Sequence, residues 1–367
     1  MENLQIKIAL SMIPSLGPRL VRKLVSYAGG IETVFNNKRS RLAKIPGIGE
    51  IKAARINGDK ILKAAEAEID YMSKNNIIPL FYLDKEYPLR LRECEDAPIV
   101  LYVKGDINFN ISKVISIVGT RHSSSYGRVC TEEIITYLAE CFPELVVVSG
   151  LAFGIDITAH KAALNNGLKT IAALGHGFDF IYPAAHKYYT HSIEKQGALV
   201  TEFRSTQKPE PGNFVSRNRI IAGLADATVV IESAEKGGAL ITADLANSYN
   251  REVFAVPGKT SDTYSKGCNQ LIKQNKAALI ECGADIELAM GWFKEKCKPQ
   301  SIQKSLFVNL SDEEKLIYNL LKSNGEMPLD EISVSLELPV AKVSASLLNM
   351  EFNGLLRLLP GKMYKCI

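Results

Sequence analysis

Four segments of the chain bring together glycine, hydroxyl and cationic residues, the types that hold phosphate. They are Gly119-Thr120-Arg121, then Ser149-Gly150-Leu151-Ala152-Phe153-Gly154-Ile155-Asp156, then Asn213 to Arg219, and last Glu232 to Thr242, which contains Lys236-Gly237-Gly238. Each lies where a strand-like apolar run feeds a helix-length stretch, and the free amides at a helix N-terminus attract anions. Repetition of the device points to several phosphates, as along a polynucleotide backbone. Arg121 can bond a phosphate bidentately, Arg217 and Arg219 flank Asn218, and Lys236 precedes two glycines. The amides of Gly150 and Gly238 can be approached with no side chain intervening. Phe214 can stack a splayed base or pack beneath its helix. Arg217 and Arg219 can likewise serve phosphate or bridge carboxylates inside the domain.

Other chemistries have less support. After Gly119 there is no G-x-G-x-x-G, the second strand ends at Ser149-Gly150 rather than an acid for ribose hydroxyls, and no Walker sequence follows, so no nicotinamide, flavin or other cofactor is expected. Gly237-Gly238 followed by Thr242 resembles the glycine-rich turn of nucleoside-monophosphate phosphoribohydrolases, an alternative enzymatic function for the same rim. Those enzymes place a catalytic glutamate three residues after the threonine, where this chain has Leu245. His122, His160, His176, His186 and His191 lack carboxylate or thiol neighbours at ligand spacing, so no metal is expected. Asp156 can brace its helix and Glu232 can hold a neighbouring loop.

The elements that must position these residues read as α/β. Strand patterns at Lys113–Val118, Leu145–Ser149, Lys169–Leu174, Ala198–Phe203, Ala227–Glu232, Glu252–Val256 and Ala278–Glu281 alternate with helix-length segments. This predicts an extended Rossmann-like, doubly wound, mostly parallel sheet over residues 76–293, with ligands gathered beyond the carboxyl ends of the strands. The stretch Ile77–Lys104 adds strands or a lid. Residues 1–75 read as a helical, SAM or helix-hairpin-helix-like domain, in which Ile45-Pro46-Gly47-Ile48-Gly49 makes a tight reversal. That turn can face a DNA phosphate or serve packing alone.

Residues 294–309, with Lys294, Lys296, Lys298 and Lys304 around Pro299, read as a linker. Residues 310–367 read as a winged helix: a capping box at Ser311-Asp312-Glu313-Glu314, helices at Leu329–Leu336 and Val340–Phe352, and a hairpin around Pro360-Gly361. Lys342 shares the recognition-helix position with Glu351, which favours a protein contact over a basic major-groove surface.

At 367 residues with 46% apolar content the chain is large enough for two or three domains, and 44 Lys+Arg against 40 Asp+Glu leaves only +4. That excludes a general polyanion sponge but allows a local basic groove. Seven cysteines without a Cys-x-x-Cys pair read as reduced thiols in a cytoplasmic protein. No signal-peptide layout or membrane-length apolar run is apparent.

Taken together, Gly119-Thr120-Arg121, Ser149 to Asp156, Arg217-Asn218-Arg219-Ile220-Ile221-Ala222-Gly223-Leu224 and Ala255-Val256-Pro257-Gly258 resemble the DNA-processing protein DprA (Smf) family, over nearly the whole chain. The resemblance implies a non-enzymatic protein that binds single-stranded DNA, protects it during natural transformation, loads the RecA recombinase and helps displace single-strand-binding protein. By the same resemblance Arg121 is the chief phosphate contact, with Ser149, Gly150, Gly154, Arg217, Asn218, Arg219, Gly237 and Gly238 lining its pocket. Self-association as a homodimer is implied through the apolar helix around Leu271 and Ile272, which can equally be core. The family commonly has a basic residue after the proline of the Phe178–His186 segment and an asparagine further on; here Ala184 and His186 stand in those places and Lys187 follows.

Overall fold

The structure, a computed structural model, describes residues 2–56, 58–292, 310–352, 355–359 and 363–366. The expected linker, with Cys297 and its lysines, and the Pro360-Gly361 turn lie outside the described residues. The chain divides into two compact units, Met1–Lys294 and Glu295–Ile367.

Nine strands build the sheet of the first unit: β1 (Ile78–Phe81), β2 (Val100–Gly105), β3 (Val114–Val118), β4 (Val146–Ser149), β5 (Lys169–Ala173), β6 (Ala198–Thr201), β7 (Ala227–Val230), β8 (Glu252–Ala255) and β9 (Ala278–Leu279). Their spatial order is β1-β2-β6-β5-β4-β3-β7-β8-β9. Strands β3 to β9 pair in parallel, while β1 and β2 are antiparallel additions at the β6 edge. All seven expected parallel strands are present, each shorter by one or two residues because their ends leave the ladder to enter turns. The Ile77–Lys104 stretch supplies the two antiparallel strands.

β3 shows why the pattern was continuous rather than alternating. Ile115 and Ile117 point into a core shared with helices Ser125–Cys141 and Ile155–Asn165, through Ile134, Leu138, Ala159 and Ala163. Val114 and Val118 point the other way, toward Ile220, Ile221, Ala243 and Ala246 of helices Pro211–Leu224 and Gly238–Ser248. A strand covered on both faces is buried at every position, and the one polar residue of β3, Ser116, is matched by the Thr228 hydroxyl of β7 at 2.7 Å.

From β3 the chain winds outward through β4, β5 and β6, then crosses back to β7, β8 and β9 on the opposite side. The order therefore reverses between β3 and β7, and helix N-termini on both faces open toward that point.

Six helices from Glu2–Ser11 to Gly58–Lys74 precede the sheet within the same unit. Gly47 and Gly49 at φ of +91° and +64° make the reversal that the hairpin sequence required. The Lys52 ammonium donates to the Gly47 carbonyl at 2.9 Å. Buried Glu68 ties this helical segment to the sheet, accepting from the Ser205 amide at 2.7 Å and its hydroxyl at 2.8 Å.

The second unit contains helices Asp312–Asn324, Leu329–Ser335 and Val340–Phe352 and a three-stranded sheet of β10 (Met327–Pro328), β11 (Leu356–Leu359) and β12 (Met363–Cys366), in the order β10-β12-β11. Ser311 and Glu314 form the capping box reciprocally. Lys342 is paired with Glu313 at 3.1 Å, so the one cation near the start of the third helix is already engaged.

Candidate nucleic-acid interface

The reversal of strand order leaves an open basin of 560 Å³, lined on one side by Gly119, Thr120, Arg121 and His122 and on the other by Lys236, Gly237, Gly238 and Thr242. Phe214, Arg217 and Asn218 of the Pro211–Leu224 helix form its floor and back wall. Segments more than a hundred residues apart in sequence thus meet where the topology predicts.

The turn carrying Arg121 is held by backbone geometry. The Thr120 amide donates to the Glu232 carbonyl at 2.7 Å, and the Thr120 carbonyl accepts from the Ile155 amide at 3.2 Å. Gly119 lies against Ile155, whose Cβ would come within 2.7 Å of any added methyl group. Gly154, at φ +77°, lets its own backbone press against Thr120 and Arg121. The Glu232 carboxylate accepts from the Ser124 amide at 2.9 Å and from the Ser124 hydroxyl, fixing the start of the next helix. Glu232 is therefore a loop holder, as its position at a strand end suggested.

On the opposite side, Gly237 is the N-cap of helix Gly238–Ser248 and has no side chain to close off the first-turn amides. Nothing lies within 4 Å of the Cα substituent position of Gly238, so an anion can approach the backbone there. Asn218 donates to the Gly238 carbonyl at 3.3 Å and joins the two walls. The Thr242 hydroxyl is buried and turned back onto the same carbonyl at 3.4 Å. Arg121 and Lys236 are exposed and make no ion pair among the described residues.

The three consecutive residues Arg217, Asn218 and Arg219 divide by direction. Successive helical positions turn through about 100°, so only Asn218 reaches across to the far wall. Arg217 is 3% exposed; its guanidinium donates to the Gly150 carbonyl at 2.6 Å and to the Ala173 carbonyl. Burial pulls Arg217 below its ordinary pKa, opposed by Asp156, and burial pushes Asp156 up, opposed by Arg217. Arg217 thus presents charge to the basin from behind while its donors serve the fold. Gly150 is needed for this, since a methyl there would meet both guanidinium nitrogens at 2.6 Å.

Arg219, expected beside them, is elsewhere. It is paired with Glu202 in a partly buried bridge and lines a separate depression with Asp96, Phe203 and Leu245. The bridging alternative holds for this residue. Ser149 is buried and donates to the Ile117 carbonyl at 2.7 Å, so it supports the strand end without facing the basin. Leu271, expected at a self-association surface, is 4% exposed and belongs to the core under β8 with Cys268; Ile272 is partly covered by the same core. An amphipathic helix packed on a sheet carries the same apolar pair as one packed on a partner, which is why spacing could not separate them.

Sequence reasoning missed Tyr182, Tyr264 and Pro211, all of which line the basin, and Phe153 beside it. Tyr182 lies in the Phe178–His186 segment, where attention to cations concealed an aromatic contribution. His186 is buried, with Nδ1 2.8 Å from the Leu151 carbonyl, so the place of the family's asparagine is structural here. Among the described residues no group of three or more His, Cys, Asp or Glu converges as a metal site, and no helix is long and apolar enough to cross a membrane.

Comparison with known proteins finds matches for all three segments of the chain. The family profile described as DNA recombination-mediator protein A matches residues 79–290, a SAM-like helix-hairpin-helix tandem matches 7–56, and the DprA winged helix domain matches 307–362. Protein Smf of Synechocystis sp. is 32% identical over 98% of this chain and 97% of its own length. DNA processing protein DprA of Streptococcus pneumoniae is 41% identical over 56% of this chain and 71% of its own. The crystal structure of the S. pneumoniae protein superposes with a TM-score of 0.65 at 32% identity, covering 79% of this chain and 98% of that one. DNA processing protein A of Helicobacter pylori, solved for its single-stranded DNA binding mode, gives a TM-score of 0.53 at 27% identity, covering 59% of this chain and 97% of that one.

Proposed function

Because the chain belongs to the DprA/Smf family of DNA recombination-mediator proteins, we propose that its basin holds consecutive phosphates of single-stranded DNA and presents the strand to a RecA-type recombinase, helping displace single-strand-binding protein. The observation that carries this is the convergence of Arg121, Asn218, Lys236 and the open Gly238 amide around one 560 Å³ basin with two unpaired cations. Such a surface fits a chain of phosphates better than one nucleotide, because its cations stand on opposite walls. No covalent step is required. The H. pylori relative, whose structure is described by its single-stranded DNA binding mode, supports the same assignment.

Self-association, implied by the family, would link two basins along one strand and raise avidity without new contacts. Of Leu271 and Ile272, Ile272 is the more accessible; Ile272→Glu should shift the sedimentation coefficient of a dimer toward that of a monomer.

Fluorescence anisotropy with labelled oligothymidylates of increasing length tests the proposal. Affinity should rise with length, and log K should fall with log salt by about 0.7 per neutralised phosphate. Saturation by a mononucleotide, with no gain from longer strands, would instead support a nucleotide-processing enzyme. Loading is read separately, as faster onset of recombinase ATP hydrolysis on strands already coated with single-strand-binding protein.

A further inference from the structure

Phe153 is 45% exposed and Tyr182 is 44% exposed, and the two line a notch that adjoins the basin beside Arg121, Gly150, Ala152 and Phe214. Phe153 is the one phenylalanine among the described residues with an exposed side chain. Two large aromatic side chains left in water side by side give up apolar burial that a packed position would supply. Their rings are nonetheless held in place. Phe153 meets the buried His186 ring edge-on at 4.8 Å, and His186 is itself fixed by the Leu151 carbonyl. Tyr182 lies at 5.3 Å from the Phe214 ring.

Phe214 is less suited to stacking a base. Its ring is pressed on the backbone at Gly175, where an added methyl would meet Cδ1 at 2.6 Å, and is flanked by Tyr182, the Arg121 guanidinium at 5.8 Å and the Arg217 guanidinium at 6.0 Å. With so many neighbours Phe214 acts as a platform that positions Arg121.

We propose that Phe153 and Tyr182 form a stacking lip for unpaired bases of the strand whose phosphates occupy the basin. This rests on the single-strand assignment above and deepens it: phosphates meet Arg121 and Lys236, while bases turn outward onto the two rings. A duplex keeps its bases stacked and paired, so it cannot offer their faces to the lip. The lip thereby makes the site selective for unpaired strands whatever their sequence.

The test compares oligothymidylate with an abasic strand of equal length and equal phosphate count, using the full chain and Phe153→Ala, Phe153→Leu and Phe153→Tyr. Phe153→Ala should weaken oligothymidylate binding roughly five- to one-hundred-fold, the range expected for losing one base-aromatic contact. The abasic strand should bind wild type and Phe153→Ala alike. Tyr should restore the loss and Leu should not, since Leu retains apolar area without a π-face. In the wild-type complex, 2-aminopurine placed in the strand should be quenched, and the quenching should be relieved in Phe153→Ala. Equal loss on both strands, no loss on either, or full rescue by Leu would overturn the lip while leaving phosphate binding intact. Failure of wild type to bind either strand would remove the single-strand assignment itself.

Discussion

Arg121 and Arg217 are both arginines near one basin, yet they should fail differently when truncated. Arg121 is exposed and unpaired, so Arg121→Ala should lower the salt slope of single-strand binding by roughly 0.7 and leave the unfolding midpoint unchanged. Arg217 is buried against two carbonyls and Asp156, and Arg217→Ala would leave those groups without their partner, at a cost on the order of 3–5 kcal/mol. Urea unfolding should show that loss directly. Arg219→Ala should alter stability through the orphaned Glu202 and leave the salt slope as it was. The sequence identified which residue types gather at the basin but not which way each points on the Pro211–Leu224 helix. Three adjacent residues, all polar, carry no apolar periodicity from which their directions could be read.

At the scale of elements, strand-to-helix junctions were the legible part, because glycines there answer to backbone geometry rather than to a partner. Gly154 combines φ +77° with ψ −123°, a region open essentially to glycine, and its neighbour is the turn that carries Arg121. Gly154→Ala should destabilise the unit by about 1–3 kcal/mol and weaken DNA binding as well, with both effects measurable on one preparation by urea titration and anisotropy. The capping box at Ser311 was equally legible, since its signature is local. Ser311→Ala should lower the calorimetric transition of the winged-helix unit, by about 1 kcal/mol, without changing that of the larger unit. The aromatic lip was not legible: Phe153 and Tyr182 are separated by a whole helix, a strand and the turns that follow each, and only the completed sheet brings them together.

For the whole molecule, a buried histidine of the Ile155–Asn165 helix, held against β5, sets a limit at low pH. The Thr170 hydroxyl donates to the Val147 carbonyl at 2.9 Å, so its oxygen must accept from Nδ1 of His160 at 2.7 Å, leaving Nε2 without a partner among the described residues. Burial, reinforced by Arg217, holds this imidazole down at about 3, against an ordinary 6.5. The folded state thus refuses a proton that the unfolded chain accepts. Stability from this group is complete above about pH 6.5 and falls as pH drops toward 3, by up to about 1.4 kcal/mol per pH unit. Urea midpoints measured from pH 7.5 to pH 5 should decline, and His160→Gln should flatten the decline.

The reversal between β3 and β7 has a mechanical consequence. The strands on either side of that seam come from separate stretches of chain, so an occupant spanning both walls acts as a rivet across the middle of the sheet. Amides of β7 and β8 that touch no ligand should then exchange with deuterium more slowly once DNA is bound, and the protection should vanish when Lys236 and Arg121 are both replaced.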